Sequence, residues 1–339
     1  MSKNIELPND LKYFSEQIGK NSMLVQGPGG NTSYKSNNQM WIKGSGTMLS
    51  DALKKDIFVL VDCKKVLSEI NNVNKQGNSD HVIGFQRNLR PSIETSFHAL
   101  ISYPYVIHTH SINTIVHSIS PQGRYSLETK LKGLNWISVP YKKPGEPLTR
   151  ELQKYLINSP SKEDEGLIII LYNHGIIVAG QTIKIVEALV KNVEDRLLLE
   201  PMKRANKKAP LPKLPKNWQW VYDYEELSKK TKTVDILQNI SLYPDHVVFL
   251  GHGLPKLSLK EVFENFATPH NHKMLLIDKI GVILNINTSE AEKAMCKCLS
   301  DVLIRLPDEW TVEGLSKENI NELINWDAEK YRQKMAKKS

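Results

Sequence analysis

The stretch from Gly166 to Gly180 constrains the fold most. Leu167–Tyr172 is an apolar run with a strong strand signal, and Ile176–Ala179 is a second. The two meet at Asn173-His174-Gly175, which has turn chemistry. The same stretch is the best candidate for a membrane span. Asn173 and His174 interrupt it well short of the ~20 apolar residues such a helix needs, so no membrane partner is expected.

Around this pair the first 200 residues read as mixed α and β. Residues 9–20 suit a short helix. Met40–Lys43, Ile57–Val61 and Tyr105–Thr109 read as strands. Pro91–Ser102 suits a helix with an early proline, Leu148–Leu156 a second, and Thr182–Glu200 a long one with Ile185, Ala188, Leu189 and Val193 near helical spacing. Further on, His246–Leu250 and Lys279–Ile286 suggest strands. Leu259–Phe266, Ser289–Leu306 and residues 318–336 suggest helices.

A chain of 339 residues is long enough for about two domains. Residues 201–217 carry Pro201, Pro210, Pro212 and Pro215 together with six basic and no acidic residues. Proline fixes φ and lacks an amide donor, so this stretch is expected to be an extended connector. It divides the chain into a catalytic domain over 1–200 and an extension over 218–339. Residues 327–339 add five basic and two acidic residues. These two segments together exceed the whole net charge of +8, so the remainder is close to neutral. A nucleic-acid binder more often carries its basic residues on a folded face, and no nucleic-acid partner is expected. Cys63, Cys296 and Cys298 are too few and too unevenly placed for a disulfide framework. The polar start, SKNIELPNDLK, has no apolar signal core. A cytoplasmic location is therefore expected.

The chemistry concentrates in a few short segments. In Tyr105-Val106-Ile107-His108-Thr109-His110-Ser111 the alternation of a strand puts His108 and His110 on one face. Two such imidazoles can close on one metal ion, or they can be two surface histidines on a half-exposed strand. His174, polar and set between two apolar strands, needs a hydrogen-bond partner or a ligand. With His108 and His110 it would make a three-imidazole site with an open position, suited to Zn²⁺ or another divalent metal. Glu94 precedes His108 by fourteen residues, so one helix and a short turn would return it to that strand. A carboxylate there can be a ligand or a general base; alone, it can equally be a glutamate favoured at a helix N-terminus. His98, one turn on, suits packing or support of a ligand better than ligation. Two Gly-rich segments, Gly27-Pro28-Gly29-Gly30-Asn31-Thr32-Ser33 and Lys43-Gly44-Ser45-Gly46-Thr47, offer free amides for an anion or form plain turns. Neither matches a P-loop or a G-x-G-x-x-G fingerprint.

Taken in order, GGNTS, IKGSG, PSIE, HTHS, VPYKKPG and NHGIIVAG resemble the class II aldolase/adducin family over about residues 8–200. Tyr243-Pro244-Asp245-His246-Val247-Val248-Phe249 and Trp326-Asp327-Ala328-Glu329-Lys330 resemble the C-terminal part of one subfamily, the aldolase portion of bifunctional rhamnulose-1-phosphate aldolase/alcohol dehydrogenases. With no G-x-G-x-x-G in a strand–helix context, the dehydrogenase half is expected to be absent. The resemblance implies α/β/α layers around a largely antiparallel sheet, with a smaller α/β extension. It implies a divalent metal, most often Zn²⁺, on His108, His110 and His174, and Glu94 as acid/base. Gly30, Asn31, Ser45, Gly46 and Ser92 would cradle the substrate phosphate. Ile93 stands where some relatives have a second serine, and Lys35 or Lys43 would compensate. Tyr125, or alternatively Tyr141, would be the proton donor, often supplied by a neighbouring subunit of a homo-oligomer, a tetramer in relatives. The implied reaction cleaves a sugar phosphate, a ketose 1-phosphate, to dihydroxyacetone phosphate and an aldehyde through a metal-stabilised enediolate. The alternatives on this scaffold are a 4-epimerase, a decarboxylase or a dehydratase, and lastly a non-catalytic adducin-like binding protein.

Overall fold

The computed structural model describes residues 4–70, 82–83, 89–157, 165–203, 210–221, 224, 227–228, 230–264 and 272–336. Seven strands form the main sheet: β1 (Asn31–Ser36), β2 (Gln39–Lys43), β3 (Phe58–Asp62), β4 (Tyr105–Thr109), β5 (Trp136–Val139), β6 (Leu167–Leu171) and β7 (Gly175–Gly180). Their order is β3-β2-β1-β4-β7-β6-β5. Every neighbouring pair is antiparallel except β5 and β6.

The apolar hairpin sits inside this sheet, and the strand period explains its composition. Ile168, Ile170, Ile176 and Val178 face one side, where Leu11, Phe14 and Ile18 of helix Asn9–Lys20 and Val186, Val190 and Val193 of helix Ile183–Leu197 cover them. Leu167, Ile169, Leu171, Ile177 and Ala179 face the other, against Phe97, Leu148 and Leu152. Both faces are buried, so neither strand shows polar alternation. Each large aliphatic residue so buried contributes about 1.5–3 kcal/mol relative to exposure. The result is an α/β/α layered fold of the expected class.

A second sheet orders β8 (Trp218–Val221), β11 (Gly281–Asn285), β10 (Met274–Ile277) and β9 (Lys256–Leu257). It does not stand apart from the first. Ile112, Ile115, Val116 and Ile119, in and just after helix Ile112–Ser118, share one apolar cluster with Leu242, Phe249, Met295, Leu299 and Val302. That helix is capped by Ser111, whose Oγ accepts the N–H of Thr114 at 3.1 Å. Its apolar residues recur at helical spacing, and all seven of its residues are buried, so its polar face is covered as well.

Several elements differ from the sequence expectation. His246–Leu250 is a π-helical turn instead of a strand. It follows a single helical turn at Pro244-Asp245, where proline favours a helical start, and it packs Val247 against Leu315, Ile320 and Leu323. The helix expected from Pro91 begins only at Thr95. Pro91 pairs with Gly44 in an isolated bridge, and the N–H of Ser92 donates to the Lys43 carbonyl at 3.0 Å. The end of β2 therefore captures residues 91–92. Residues 318–336 form two helices, Lys317–Ile324 and Asp327–Ala336, separated at Trp326, whose ring lies under the Lys143 ammonium. In the connector, 204–209 lie outside the described residues; 210–215 form neither helix nor strand. The expected helix over Leu259–Phe266 covers Leu259–Phe263, with 265–266 outside the described residues. All three cysteines are buried and free. Among the described residues no helix is long and apolar enough to cross a membrane.

Candidate metal centre and substrate cleft

The site is built at the ends of β4 and of the β6–β7 hairpin. His108 and Ile177 are register partners across β4 and β7. The His108 Nδ1–H donates to the Ile176 carbonyl at 3.0 Å, which leaves Nε2 as a lone pair with no partner among the described residues. His110 follows one residue past the end of β4. His174 comes from the hairpin turn, where Asn173 adopts φ 55°. The turn presses so closely on β4 that a Cβ on Gly175 would lie 2.3 Å from the Thr109 carbonyl oxygen, so only glycine fits. Gly30 is similarly constrained, with φ 61° and the His108 carbonyl 2.8 Å from its would-be Cβ.

Those contacts bring one ligand atom from each of His108, His110 and His174 within 4.8 Å of one another. Glu94 straddles two of them, with Oε2 3.5 Å from His108 Nε2 and Oε1 3.4 Å from His174 Nε2. Burial by itself would raise the Glu94 pKa. The facing His108 and His174 and the Asn31 amide overcome it and hold the carboxyl at about 2. Burial pushes His108 down to about 4 and His174 to about 3. His108 and His174 are thus neutral, the form that ligates. Nε2 of His108, Nδ1 of His174 and Oε1 of Glu94 are buried with no hydrogen-bond partner among the described residues, which is costly in a protein interior unless something pairs with them. Three imidazoles and a carboxylate are a fitting donor set for Zn²⁺ or a similar divalent ion.

Behind Glu94 runs a chain of hydrogen bonds. Asn31 Nδ2 donates to Glu94 Oε2 at 2.8 Å and to Ser92 Oγ at 3.1 Å. Asn31 Oδ1 accepts from His98 Nε2, and the other ring nitrogen of His98 meets Ser33 Oγ at 2.7 Å. His98 is fully buried and kept neutral by desolvation. It supports the site through Asn31 and is no ligand.

A cleft opens over this cluster. Gly30, Asn31, Ser45, Gly46, Ser92 and Glu94 line it together with Lys43, His110 and His174. Ile93 lines it too. Lys43 Nζ donates to the carbonyls of Pro28 (2.9 Å) and Gly30 (3.0 Å), and burial with the nearby Arg332 lowers its pKa to about 7. Lys35 does not line the cleft; its ammonium meets the His98 carbonyl at 2.5 Å. Tyr125 is 82% exposed and lies outside the cleft. Tyr141 packs against Val247 and Leu315, and its buried hydroxyl has no partner among the described residues.

The far wall holds three charged residues that sequence reasoning assigned no role. Asp245 Oδ2 lies 3.0 Å from His110 Nδ1, Arg332 grips both Asp245 oxygens at 2.6 and 2.9 Å, and Glu329 stands 3.2 Å from Arg332. The segments that carry Asp245 and Glu329 stand out in the sequence, but no local pattern says that they reach the histidines.

Residues 10–196 match the family described as Class II Aldolase and Adducin N-terminal domain. The chain belongs to that family. Among curated proteins it is similar to the uncharacterized oxidoreductase YuxG of Bacillus subtilis (strain 168), at 27% identity over 224 residues. That match covers 60% of this chain and 32% of the relative, so the chain spans about a third of the relative's length. Among solved structures it is similar to the N-terminal class II aldolase domain of a conserved protein from Thermoplasma acidophilum (24% identity, 58% of this chain and 95% of that one, TM-score 0.47). It is also similar to an L-fuculose 1-phosphate aldolase (20% identity, 56% and 84%, TM-score 0.39). The family match covers the histidines, Glu94 and both Gly-rich loops. Asp245, Glu329 and Arg332 lie beyond it.

Proposed function

We propose that this chain is a metal-dependent aldolase that cleaves a ketose 1-phosphate to dihydroxyacetone phosphate and an aldehyde. The observation that carries the proposal is Glu94, which lines the cleft with its carboxylate oxygens 3.5 Å from His108 and 3.4 Å from His174 of the three-histidine cluster. His108, His110 and His174 would hold the divalent ion, and its chemistry is Lewis-acid polarisation of the substrate's carbonyl and hydroxyl oxygens.

The residues divide the remaining work. In the synthetic direction the Glu94 carboxylate removes a proton from the hydroxymethyl carbon of dihydroxyacetone phosphate. In cleavage the C4 hydroxyl loses its proton, the C3–C4 bond breaks, and Glu94 returns a proton to C3 of the resulting enediolate. Asn31 keeps the carboxylate aimed through its 2.8 Å bond. The amides of Gly30 and Gly46, the hydroxyls of Ser45 and Ser92 and the amine of Lys43 form the phosphate end of the cleft. The proton donor to the aldehyde oxygen in the synthetic direction is Tyr125 of a neighbouring copy in a homo-oligomer, or alternatively Tyr141, and in cleavage its phenolate takes the C4 hydroxyl proton back. Tyr125, exposed on its helix, requires the neighbour.

The test is metal analysis of the purified protein together with a coupled assay for dihydroxyacetone phosphate across ketose 1-phosphates. About one ion per chain and product release are expected. Glu94→Gln is expected to lower turnover by about 10²–10⁴-fold while leaving the metal bound. Metal without that product would replace the aldolase reading with an epimerase, a decarboxylase or a dehydratase. No metal after reconstitution, or unchanged turnover in Glu94→Gln, would overturn the proposal.

A further inference from the structure

The three histidines are oriented by different means. His108 is fixed within the sheet, since its Nδ1–H donates to the carbonyl of Ile176 on the adjoining strand. His110 lies past the last residue of β4, where strand pairing has stopped. What meets its Nδ1 is the Asp245 carboxylate at 3.0 Å. Asp245 comes from the turn before the π-helical segment, and it is only 2% exposed. Its carboxylate is held by the planar guanidinium of Arg332 at 2.6 and 2.9 Å, and Arg332 is held by Glu329 at 3.2 Å and by the face of Phe249.

We propose that Asp245 is a positioning residue of the metal centre, supplied from beyond the family domain. It keeps His110 in the Nδ1–H tautomer, fixes the ring's rotation, and so presents Nε2 to the ion. The inference rests on the metal-site reading above. A carboxylate that accepts the second N–H of a ligating imidazole both orients the ring and raises its basicity. Asp245 suits that role better than direct ligation. Both of its oxygens already accept from Arg332, and the remaining capacity of Oδ2 is directed at His110. Arg332 offsets the buried negative charge, which an isolated carboxylate could not sustain at this depth. Helix Asp327–Ala336 therefore acts on the metal through Arg332, Asp245 and His110 in turn. Its docking is tight, since a Cβ on Gly46 would lie 2.5 Å from Met335 Cβ.

The experiment uses the full chain, stripped of metal, in four forms: wild type, Asp245→Asn, Asp245→Ala and Glu329→Gln. Zn²⁺ affinity is read by competition with a chromophoric chelator, and the ligand field by the visible spectrum of the Co²⁺-loaded protein. Asp245→Ala is expected to weaken Zn²⁺ binding by about 10–100-fold and to shift the Co²⁺ bands. Asp245→Asn keeps an acceptor for Nδ1–H, loses the charge, and is expected to recover part of that affinity with a spectrum nearer wild type. Glu329→Gln leaves the Asp245–His110 contact in place and keeps an acceptor for Arg332, and is expected to weaken Zn²⁺ binding less than Asp245→Asn does. Should Asp245→Ala fail to fold because Arg332 is left unpaired, the comparison of Asp245→Asn with Glu329→Gln decides. Wild-type affinity and spectrum in the Asp245 variants would overturn the inference while leaving the metal site intact. Equal losses in Asp245→Asn and Glu329→Gln would overturn it too, because a general disturbance of the charged cluster would then explain both. A wild type that binds neither ion would overturn the metal-site reading itself.

Discussion

Asn173 joins the hairpin that carries His174 to the part of the chain beyond residue 240, and replacing it should loosen both. Its Nδ2 donates to the carbonyls of Leu242 (2.9 Å) and Glu313 (2.7 Å), and its Oδ1 accepts from Arg124 at 2.9 Å. Its φ of 55° lies in the left-handed region. Asn173→Ala removes all of these at once. Placing alanine in that region costs about 1–2 kcal/mol. Leaving buried carbonyl acceptors unpaired costs about 1–3 kcal/mol for each group, discounted here because Arg124 and the Glu313 carbonyl are partly reached by water. A loss of about 3–5 kcal/mol follows. Asn173→Gly separates the two parts, since it accepts the backbone angle and still lacks the side chain; it should recover about 1 kcal/mol. Urea unfolding of both variants, followed by tryptophan fluorescence, measures the difference through the midpoint at constant slope. Metal affinity should fall in both, because His174 is the next residue. Variants that unfold within about 0.5 kcal/mol of wild type, the range of an unremarkable surface change, would refute the view that this turn fastens the two parts together.

Other consequences are as direct. His174→Ala should bind Zn²⁺ far more weakly than wild type in a chelator competition while keeping its far-ultraviolet circular dichroism, because the residue lies in a turn and not in the sheet's apolar layers. Gly46→Ala adds a Cβ 2.5 Å from Met335 Cβ and 3.0 Å from the Arg332 carbonyl, at φ 78°; helix Asp327–Ala336 must shift, and steady-state kinetics should show a raised KM for the phosphate substrate. His246 is buried, and desolvation lowers its pKa to about 4 although its bond to the Gly253 carbonyl opposes that. The unfolded chain takes the proton near 6.5 and the folded one only near 4. Stability should therefore fall as pH drops through that window, by up to about 3 kcal/mol from this one group. Unfolding midpoints at pH 7 and 5 should differ less in His246→Gln than in wild type.

Much of the fold was legible because its signals are local. The helix at residues 9–20 and the strand Tyr105–Thr109 appear where their composition placed them, and β6 and β7 lie within a residue of their expected ends. The i, i+2 spacing of His108 and His110 brings both to one histidine cluster, although His110 lies one residue past the end of β4. Helix Ile112–Ser118 was legible too, in the helical spacing of Ile112, Ile115, Val116 and Ile119, but no element was expected there. His246–Leu250 carries a β-rich composition, yet it winds as a helical turn after Pro244, which favours a helical start, and packs Val247 against Leu315, Ile320 and Leu323. At residues 91–94 a bridge to Gly44 overrode the helix that the early proline suggested, and Ser92 and Glu94 line the cleft.

By itself, then, the sequence determined the strands and turns that carry the three histidines and the spacing that lets Glu94 return to them. Backbone propensity and the strand period act over a few residues and are written there. Only the tertiary structure decided that Asp245 reaches His110, that Arg332 and Glu329 stand behind it, and that Asn173 bonds to Leu242 and Glu313. Those contacts join residues far apart in the chain, and nothing local marks such partners. Their energy comes from burying charge and amide groups where only each other can satisfy them.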